Sequence, residues 1–243
     1  MAILAAGGSD ALSQWERVAL TSWGRYIAQA EERAILQVAG SSHRPGLVLD
    51  AGCGEGRWTA LLRKHGWEAI CVDTDPVALA KCQERNPGVA CMLVPRSGCR
   101  LPAADASVSL LLCIEVPGVL ESAWFQEEAR RVLKPGGSLL GIFHNRSSVR
   151  GCFRAAADFA HGSVGFYRLG FREWRRRIRR AGLCVVRAEG LCWFPFRRLS
   201  NSRWVPVFAR LEARLGLRAL ATFSPWVLFV AEKVALPEPA RAT

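Results

Sequence analysis

The chain has 243 residues, half of them hydrophobic, and a formal net charge of +12. This length suits one α/β domain, and this hydrophobic content excludes wholesale disorder. No run of about 18 uncharged apolar residues indicates a transmembrane helix. The short apolar N-terminus lacks the basic region of a signal peptide, so we expect a cytoplasmic protein.

The positive charge is concentrated in the second half of the chain. From Arg146 onward there are 19 Lys and Arg against 6 Asp and Glu, whereas the first 145 residues carry 14 against 15. The densest part is Arg175–Arg180, which suits either a phosphate or lipid-headgroup site or the solvated face of a helix. A basic half predicts an acidic partner: an anionic substrate, an anionic membrane surface or nucleic acid. A peripheral position at a membrane is therefore an alternative to a purely cytoplasmic one.

Nine cysteines are scattered along the chain without a C-x-x-C pair. Several fall inside apolar runs with strand-like composition, where cysteine packs as a small hydrophobic residue. We therefore expect reduced core thiols and no metal site.

The predicted elements begin with a helix over residues 10–40, where apolar side chains recur at helical spacing. Short apolar runs then alternate with amphipathic stretches, which indicates a parallel sheet covered on both faces. The predicted strands of this half are Leu47–Leu49, Ala69–Val72, Ala90–Val94, Val108–Ile114 and Ser138–Phe143, and its helices are Trp58–His65, Pro76–Glu84 and Ser122–Leu133. In the second half we predict the helix Phe171–Arg180 and the strands Leu183–Arg187 and Trp226–Ala231.

The segment Asp50–Gly56 reads D-A-G-C-G-E-G and follows the first predicted strand. Its glycines allow a sharp turn and a close backbone approach to a ligand. A dinucleotide fingerprint would need its third glycine at Arg57, so the match to a nicotinamide or flavin site is poor. Amide groups at the start of the following helix suit a carboxylate, and Asp73, which ends the next strand, can accept both hydrogen bonds of a ribose diol.

Four segments in order resemble class I S-adenosylmethionine-dependent methyltransferases: Leu47–Gly56, Cys71–Pro76, Leu101–Val116 and Leu133–Gly137. The resemblance implies a Rossmann-like three-layer α/β sandwich with a mostly parallel seven-stranded sheet whose last strand is antiparallel. It also implies one methyltransferase domain over residues 1–243. Residues 1–40 would then form an N-terminal helical lid, and 145–169 and 190–224 would be lid insertions.

The resemblance implies a role for each cofactor-binding position. The first two loop glycines would pass the methionine part of S-adenosylmethionine, and Asp50 would hold its ammonium group. Asp73 would bind the ribose, Gly98 would offer a backbone N–H to the adenine, and Cys113 would lie beneath the methionine end. The implied cofactor-binding residues are Asp50, Gly52, Cys53, Gly54, Asp73, Thr74, Ser97, Gly98 and Cys113.

Two serines depart from the family pattern. The family often has an acidic residue at each of the positions of Ser97 and Ser109. In the family, the acidic residue at the first of these positions binds the adenine amino group. Serine can still form a hydrogen bond there, but without charge. These departures leave open a non-catalytic protein of the same fold that uses its basic surface as a binding or membrane-docking module.

The methyl acceptor is predicted to be an apolar or anionic small molecule, such as a lipid, a quinone-like compound or a secondary metabolite. The segment Trp193–Arg198 combines aromatic residues with arginines and favours a cap over an apolar pocket. A hydroxyl or amine acceptor needs a base, and His144 and Glu115 are the candidates because both are predicted at carboxyl ends of strands. A nucleic-acid methyltransferase is the alternative, which is disfavoured because Cys113–Val116 lacks the Asn/Asp-Pro-Pro-aromatic sequence.

Overall fold

A computed structural model describes residues 14–41, 45–163 and 165–234. The part of the predicted N-terminal lid before Gln14, and residue 164 of the second lid segment, lie outside the described residues. In the described part, one sheet contains seven strands: β1 (Leu47–Ala51), β2 (Glu68–Asp73), β3 (Ala90–Leu93), β4 (Val108–Cys113), β5 (Leu133–His144), β6 (Leu183–Leu191) and β7 (Trp226–Lys233).

The strands lie in the order β3-β2-β1-β4-β5-β7-β6. Strands β1 to β5 pair with one another in parallel, and β7 is antiparallel to both β5 and β6. The predicted fold, a mostly parallel seven-stranded sheet of Rossmann-like type with an antiparallel last strand, is thus confirmed. Because β1 lies between β2 and β4, the winding reverses beside β1, which is where such sheets bind ligands.

Nine α-helices accompany the sheet in the described residues: α1 (Gln14–Ala19), α2 (Ser22–Ser41), α3 (Arg57–Lys64), α4 (Pro76–Arg85), α5 (Pro117–Leu120), α6 (Ala123–Val132), α7 (Val149–Ala160), α8 (Phe171–Arg180) and α9 (Val205–Arg214). A 3₁₀ helix covers Leu217–Phe223. The predicted first helix is divided at Thr21. The Thr21 hydroxyl accepts a hydrogen bond from the Gly24 amide at 2.9 Å, so Thr21 caps a second helix where we expected one continuous helix.

Successive strand residues point to opposite faces of the sheet, so apolar strands present apolar side chains on both faces. Helices cover both of these faces. On one face, Leu49, Leu111 and Phe143 pack in a core with α6 and α8. On the other, Val48 and Leu110 pack with α2, α3 and α9. These two cores fix the positions of the strand ends, and the loops after β1, β2, β3 and β4 then meet at one edge.

Candidate active site

A cavity of about 920 Å³ lies at the carboxyl edge of the parallel strands. Its wall includes the loops after β1, β2, β3 and β4 together with residues of α1, α2 and α3. This volume is near the upper end of the range typical of small-molecule sites. Asp73 ends β2 and Glu115 follows β4, so these two lining residues lie on opposite sides of β1, and we refer to these two sides as the ends of the cavity.

The glycine loop after β1 is held against the end of β2 by backbone hydrogen bonds. The amides of Gly52 and Cys53 both donate to the Val72 carbonyl, at 2.8 and 3.1 Å. Gly52 has a φ of +79°, and a Cβ there would lie 2.4 Å from Cγ2 of Val116. Only glycine therefore allows the loop to pass this close to the chain that follows β4.

Asp73 joins the two loops that border the cavity. Its Oδ2 accepts the Gly54 amide at 2.8 Å, and its Oδ1 accepts the amides of Thr74 and Asp75 at 2.7 and 2.9 Å. Asp73, Thr74, Cys53 and Gly54 all line the cavity. These three amides occupy three of the four lone pairs of the carboxylate, so one lone pair, on Oδ2, stays available for a ligand hydroxyl.

Asp50 is the last residue but one of β1 and is buried, yet it lines the cavity. Its Oδ2 accepts a hydrogen bond from the Thr59 hydroxyl at 2.8 Å. Burial raises the pKa of Asp50 to about 7, with the Thr59 hydrogen bond opposing the rise. A cationic ligand group beside Asp50 would therefore gain a charge-assisted contact in a region of low dielectric.

The loop after β3 fits the expected adenine contacts poorly. The Gly98 amide donates to the Pro95 carbonyl at 2.8 Å, so this N–H already has an acceptor and is unavailable unless the turn opens. Ser97 is exposed and does not belong to the cavity wall, whereas Arg96 and Arg100 do. Arginine stacks on aromatic rings, so these two side chains offer a contact to a planar base that the sequence interpretation missed.

Cys113 and His144 lie behind the cavity wall and not in it. Cys113, the last residue of β4, is fully buried in the core. His144 is buried among aromatic rings, with the Trp226 ring centroid at 4.5 Å. Burial, and secondarily Arg198, lower the pKa of His144 to about 3, so its imidazole is neutral at neutral pH. The structure therefore brings Glu115, and not His144, to the cavity.

A network of four charged side chains, of which Glu31 is fully buried and Arg57 is exposed, borders the other end of the cavity. Glu115 follows β4 and forms an ion pair with Arg198 of the segment after β6. Glu31 of α2 is fully buried and pairs with Arg57, the first residue of α3, at 2.6 Å. Glu115 also has a φ of +58°, a conformation that a non-glycine residue adopts at a cost of about 1–3 kcal/mol.

Burial raises the pKa of both carboxyl groups in this network. For Glu31, the neighbouring Glu115 raises the pKa further, while Arg57 and Arg198 oppose the rise. For Glu115, Arg198 and then Arg57 oppose the effect of burial. Two carboxyl groups in one desolvated region resist simultaneous ionisation, so this pair holds a proton to higher pH than an isolated glutamate does.

Sequence reasoning found Glu115 but missed its partners. Glu31 follows Ile27 by one helical turn and precedes Ala34 and Ile35 on the buried face of α2. An acidic residue on the apolar face of a helix is a signal that could have identified Glu31. No comparable signal marks Arg198, because arginines are abundant throughout that half of the chain.

Helix α2 and the segment after β6 are tied together beside this end of the cavity. The Tyr26 hydroxyl donates to Glu212 of α9 at 2.5 Å, and the Trp23 amide donates to the Ser200 carbonyl at 3.1 Å. Trp23, Ile27, Trp58 and Phe166 give the cavity an apolar and aromatic wall here. These contacts join residues of two of the predicted lid segments, 1–40 and 190–224, beside the cavity.

The basic helix α8 lies away from the cavity. It buries Phe171, Trp174 and Ile178 in the core and exposes its arginines, and no residue of α8 lines the described cavity. Separately, none of the helices in the described residues combines the length and the apolar character that crossing a membrane requires.

Part of the chain is similar to known proteins. Residues 49–141 match the family described as a methyltransferase domain. The uncharacterized methyltransferase YodH of Bacillus subtilis is 36% identical over 116 residues, which cover 46% of this chain and 49% of YodH. The probable S-adenosylmethionine-dependent methyltransferase Rv3030 of Mycobacterium tuberculosis is 36% identical over 103 residues, which cover 41% of this chain and 36% of Rv3030. The chain therefore spans about half or less of the length of these relatives.

Solved structures share the fold. Geranyl diphosphate C-methyltransferase from Streptomyces coelicolor A3(2) aligns with a TM-score of 0.63 at 16% identity, over 93% of this chain and 86% of that chain. A possible histamine N-methyltransferase from Thermotoga maritima aligns with a TM-score of 0.59 at 18% identity, over 90% of this chain and 94% of that chain. At such identities the likeness concerns the fold alone.

Proposed function

Because this chain carries a domain of the class I S-adenosylmethionine-dependent methyltransferase family, we propose that it is an enzyme that methylates a small molecule. The observation that carries the proposal is a single cavity, bounded by the glycine loop and Asp73 at one end and by Glu115 at the other. A methyl donor and a methyl acceptor can bind next to each other in such a cavity, shielded from bulk water.

The residues of the first end suit S-adenosylmethionine. The loop at Gly52 has no room for a side chain, Asp73 can accept a hydrogen bond from a ribose hydroxyl on Oδ2, and Asp50 can face an ammonium group. When bound, this cofactor supplies an electrophilic methyl group on a sulfonium. The remaining requirement is that the protein orient an acceptor in line with that methyl group and exclude water.

The second end suits an apolar acceptor with an ionisable hydroxyl or amine. Its aromatic and aliphatic wall would bury the body of the acceptor, and Arg57, which lines the cavity, would favour a negative group on it. The likeness in fold to an enzyme named for geranyl diphosphate, a molecule both apolar and anionic, agrees with this class of acceptor.

Glu115 would act as the general base. As the acceptor lone pair forms a bond to the methyl carbon, the carbon–sulfur bond breaks and its electron pair stays on sulfur. The acceptor proton would pass to the Glu115 carboxylate, whose raised pKa brings it closer to that of the acceptor. Arg198 and Arg57 would hold that carboxylate in place, and Glu31 would share the proton.

A labelling experiment tests the proposal. The full chain is incubated with S-adenosylmethionine labelled in its methyl group and with a cell extract divided into small-molecule, lipid and RNA fractions. We expect label in the small-molecule or lipid fraction, and none when the chain is heat-inactivated. Label in RNA, with steeply salt-dependent binding, would support the nucleic-acid alternative instead. Cofactor binding without transfer to any fraction would support the non-catalytic alternative.

A further inference from the structure

Four cysteines that are dispersed in the sequence converge beside the glycine loop. Cys53 lies in that loop, Cys71 on β2, Cys82 on α4 and Cys91 on β3. Cys71 and Cys91 are direct neighbours across the two parallel strands, and α4 brings Cys82 over them. Strand register and helix packing thus create a cluster that no C-x-x-C spacing indicates.

The sulfur atoms are close enough to share one ion. The Sγ atoms of Cys53, Cys71 and Cys82 all lie within 4.8 Å of one another. The Sγ of Cys91 lies 3.7 Å from that of Cys82. Tetrahedral zinc with sulfur at about 2.3 Å requires sulfur–sulfur distances of about 3.8 Å, so Cys53, Cys71 and Cys82 need only a small contraction to reach this geometry. Cys91 lies outside this group of three and needs a larger shift to complete the site.

Polar groups border the cluster. The Asn86 side-chain amide lies 3.8 Å from the Cys82 Sγ, and its two N–H groups donate to the carbonyls of Gly56 and Cys82. The Thr59 hydroxyl donates to Asp50 and lies 3.1 Å from the Cys71 Sγ, so it can accept a hydrogen bond from that thiol. These groups fix the positions of Cys71 and Cys82 in the cluster.

Gly56 makes room for this arrangement. A Cβ at Gly56 would lie 2.4 Å from the Cys82 Sγ and 2.5 Å from Nδ2 of Asn86. The third loop glycine is therefore required by the sulfur cluster and its amide donor, and not by the cavity. Cys53 lines the cavity, so an ion from solvent has a path to the sulfurs.

We propose that Cys53, Cys71 and Cys82 bind Zn²⁺, with Cys91 as the fourth ligand. Soft thiolates favour Zn²⁺ over Mg²⁺ or Ca²⁺, and four sulfur ligands leave no open position, which is the mark of a structural site. Each thiol releases its proton to the buffer as the ion binds. The ion would fasten the glycine loop to β2, β3 and α4.

Zinc titration of the chelator-stripped full chain tests the site. The unaltered chain, competing with a chromogenic chelator, should take up one Zn²⁺ per chain, and Co²⁺ in its place should give a sulfur-to-cobalt charge-transfer band. Cys82→Ser should weaken zinc binding by more than the roughly 10–100-fold that loss of an outer-shell partner costs. Cys152→Ser, at an exposed cysteine outside the cluster, should leave binding unchanged.

Alkylation of the unaltered chain keeps the test decisive even where Cys82→Ser fails to fold. With Zn²⁺ present, N-ethylmaleimide should modify the exposed Cys99 and Cys152 but spare the four clustered cysteines, as peptide mass spectrometry would show. Removal of the ion should expose Cys53 and Cys91 to the reagent first, since both are only partly buried. Failure to bind Zn²⁺, or protection that does not differ between zinc-loaded and stripped chains, would overturn the proposal.

Discussion

The two ends of the cavity are built in different ways. At the Asp73 end, the contacts run mainly through backbone groups of two loops that are close in sequence, such as the Gly54 amide on Asp73. At the Glu115 end, they run through side chains from α2, α3, the end of β4 and the segment after β6. The first end repeats a family pattern because backbone geometry demands glycines and one acid. The second end depends on side chains that meet only through long-range packing, which suits the part of a site that selects an acceptor.

The largest effect is expected from Glu115→Gln, which removes the proposed base but keeps the shape of the side chain. The rate of methyl transfer to the labelled acceptor should fall by about 10²–10⁴-fold, the usual contribution of a positioned acid or base. Affinity for S-adenosylhomocysteine, measured by calorimetry, should stay within about twofold of that of the unaltered chain, because Glu115 and the proposed cofactor site at Asp73 would act independently.

The control for that variant is Glu127→Gln, an exposed position on α6. Both variants need a thermal unfolding scan, because removal of one partner from the ion pair with Arg198 also destabilises the fold. Equal losses of cofactor affinity and transfer rate in Glu115→Gln would show that Glu115 supports the cavity as a whole and is not the base.

The next effect in size concerns Asp73→Ala. Loss of a hydrogen-bonding carboxylate should weaken cofactor binding by about 1.5–3 kcal/mol, as read by calorimetry with S-adenosylhomocysteine. Glu68→Ala is the matched control, since Glu68 is an exposed acid at the opposite end of β2 and does not line the cavity. Unchanged affinity in Asp73→Ala would remove the ribose assignment.

Gly52→Ala should have a somewhat smaller effect on the same end. The added Cβ would clash with Val116, and the φ of +79° would be strained, so cofactor affinity should fall about tenfold. Gly88→Ala provides the comparison, because Gly88 has a similar φ of +81° and open space around its Cβ position. If both variants lose affinity equally, the loss is due to general destabilisation and not to the shape of the glycine loop at Gly52.

These variants also show what sequence alone could reveal. The glycine loop, Asp73 and the alternation of strands and helices were predictable, because each depends on local backbone chemistry. The division of the first helix at Thr21 was missed, since a cap inside an apolar-periodic stretch gives a weak signal. The pairing of Glu31 with Arg57 and the sulfur cluster depend on strand order and helix packing, which residue spacing does not encode.

The smallest expected effect is a dependence on pH that originates at Asp50. Native Asp50 keeps its proton up to about pH 7, whereas the unfolded carboxyl releases it near its ordinary pKa of 3.8. Between these two pH values the native state therefore binds one proton more than the unfolded state does. The contribution of Asp50 to the free energy of unfolding falls as pH rises through this range and is constant above it. Cofactor affinity should change in the opposite direction, because an ammonium group requires the carboxylate.

Asp50→Asn separates the Asp50 contribution from those of Glu31 and Glu115. In the unaltered chain, affinity for S-adenosylhomocysteine should be about tenfold weaker at about pH 6 than at about pH 8, as the competent carboxylate becomes scarce. In Asp50→Asn this dependence should be absent, and calorimetry at several pH values would reveal it. The same dependence in both chains would assign it to another group.

The most direct measurement is a calorimetric titration of the unaltered chain with S-adenosylhomocysteine near pH 8. The account predicts saturable binding of one ligand per chain, weakened in Asp73→Ala and retained in Glu115→Gln. Absence of binding at millimolar ligand, in a chain shown to be folded, would contradict the claim that the glycine loop and Asp73 form a cofactor site.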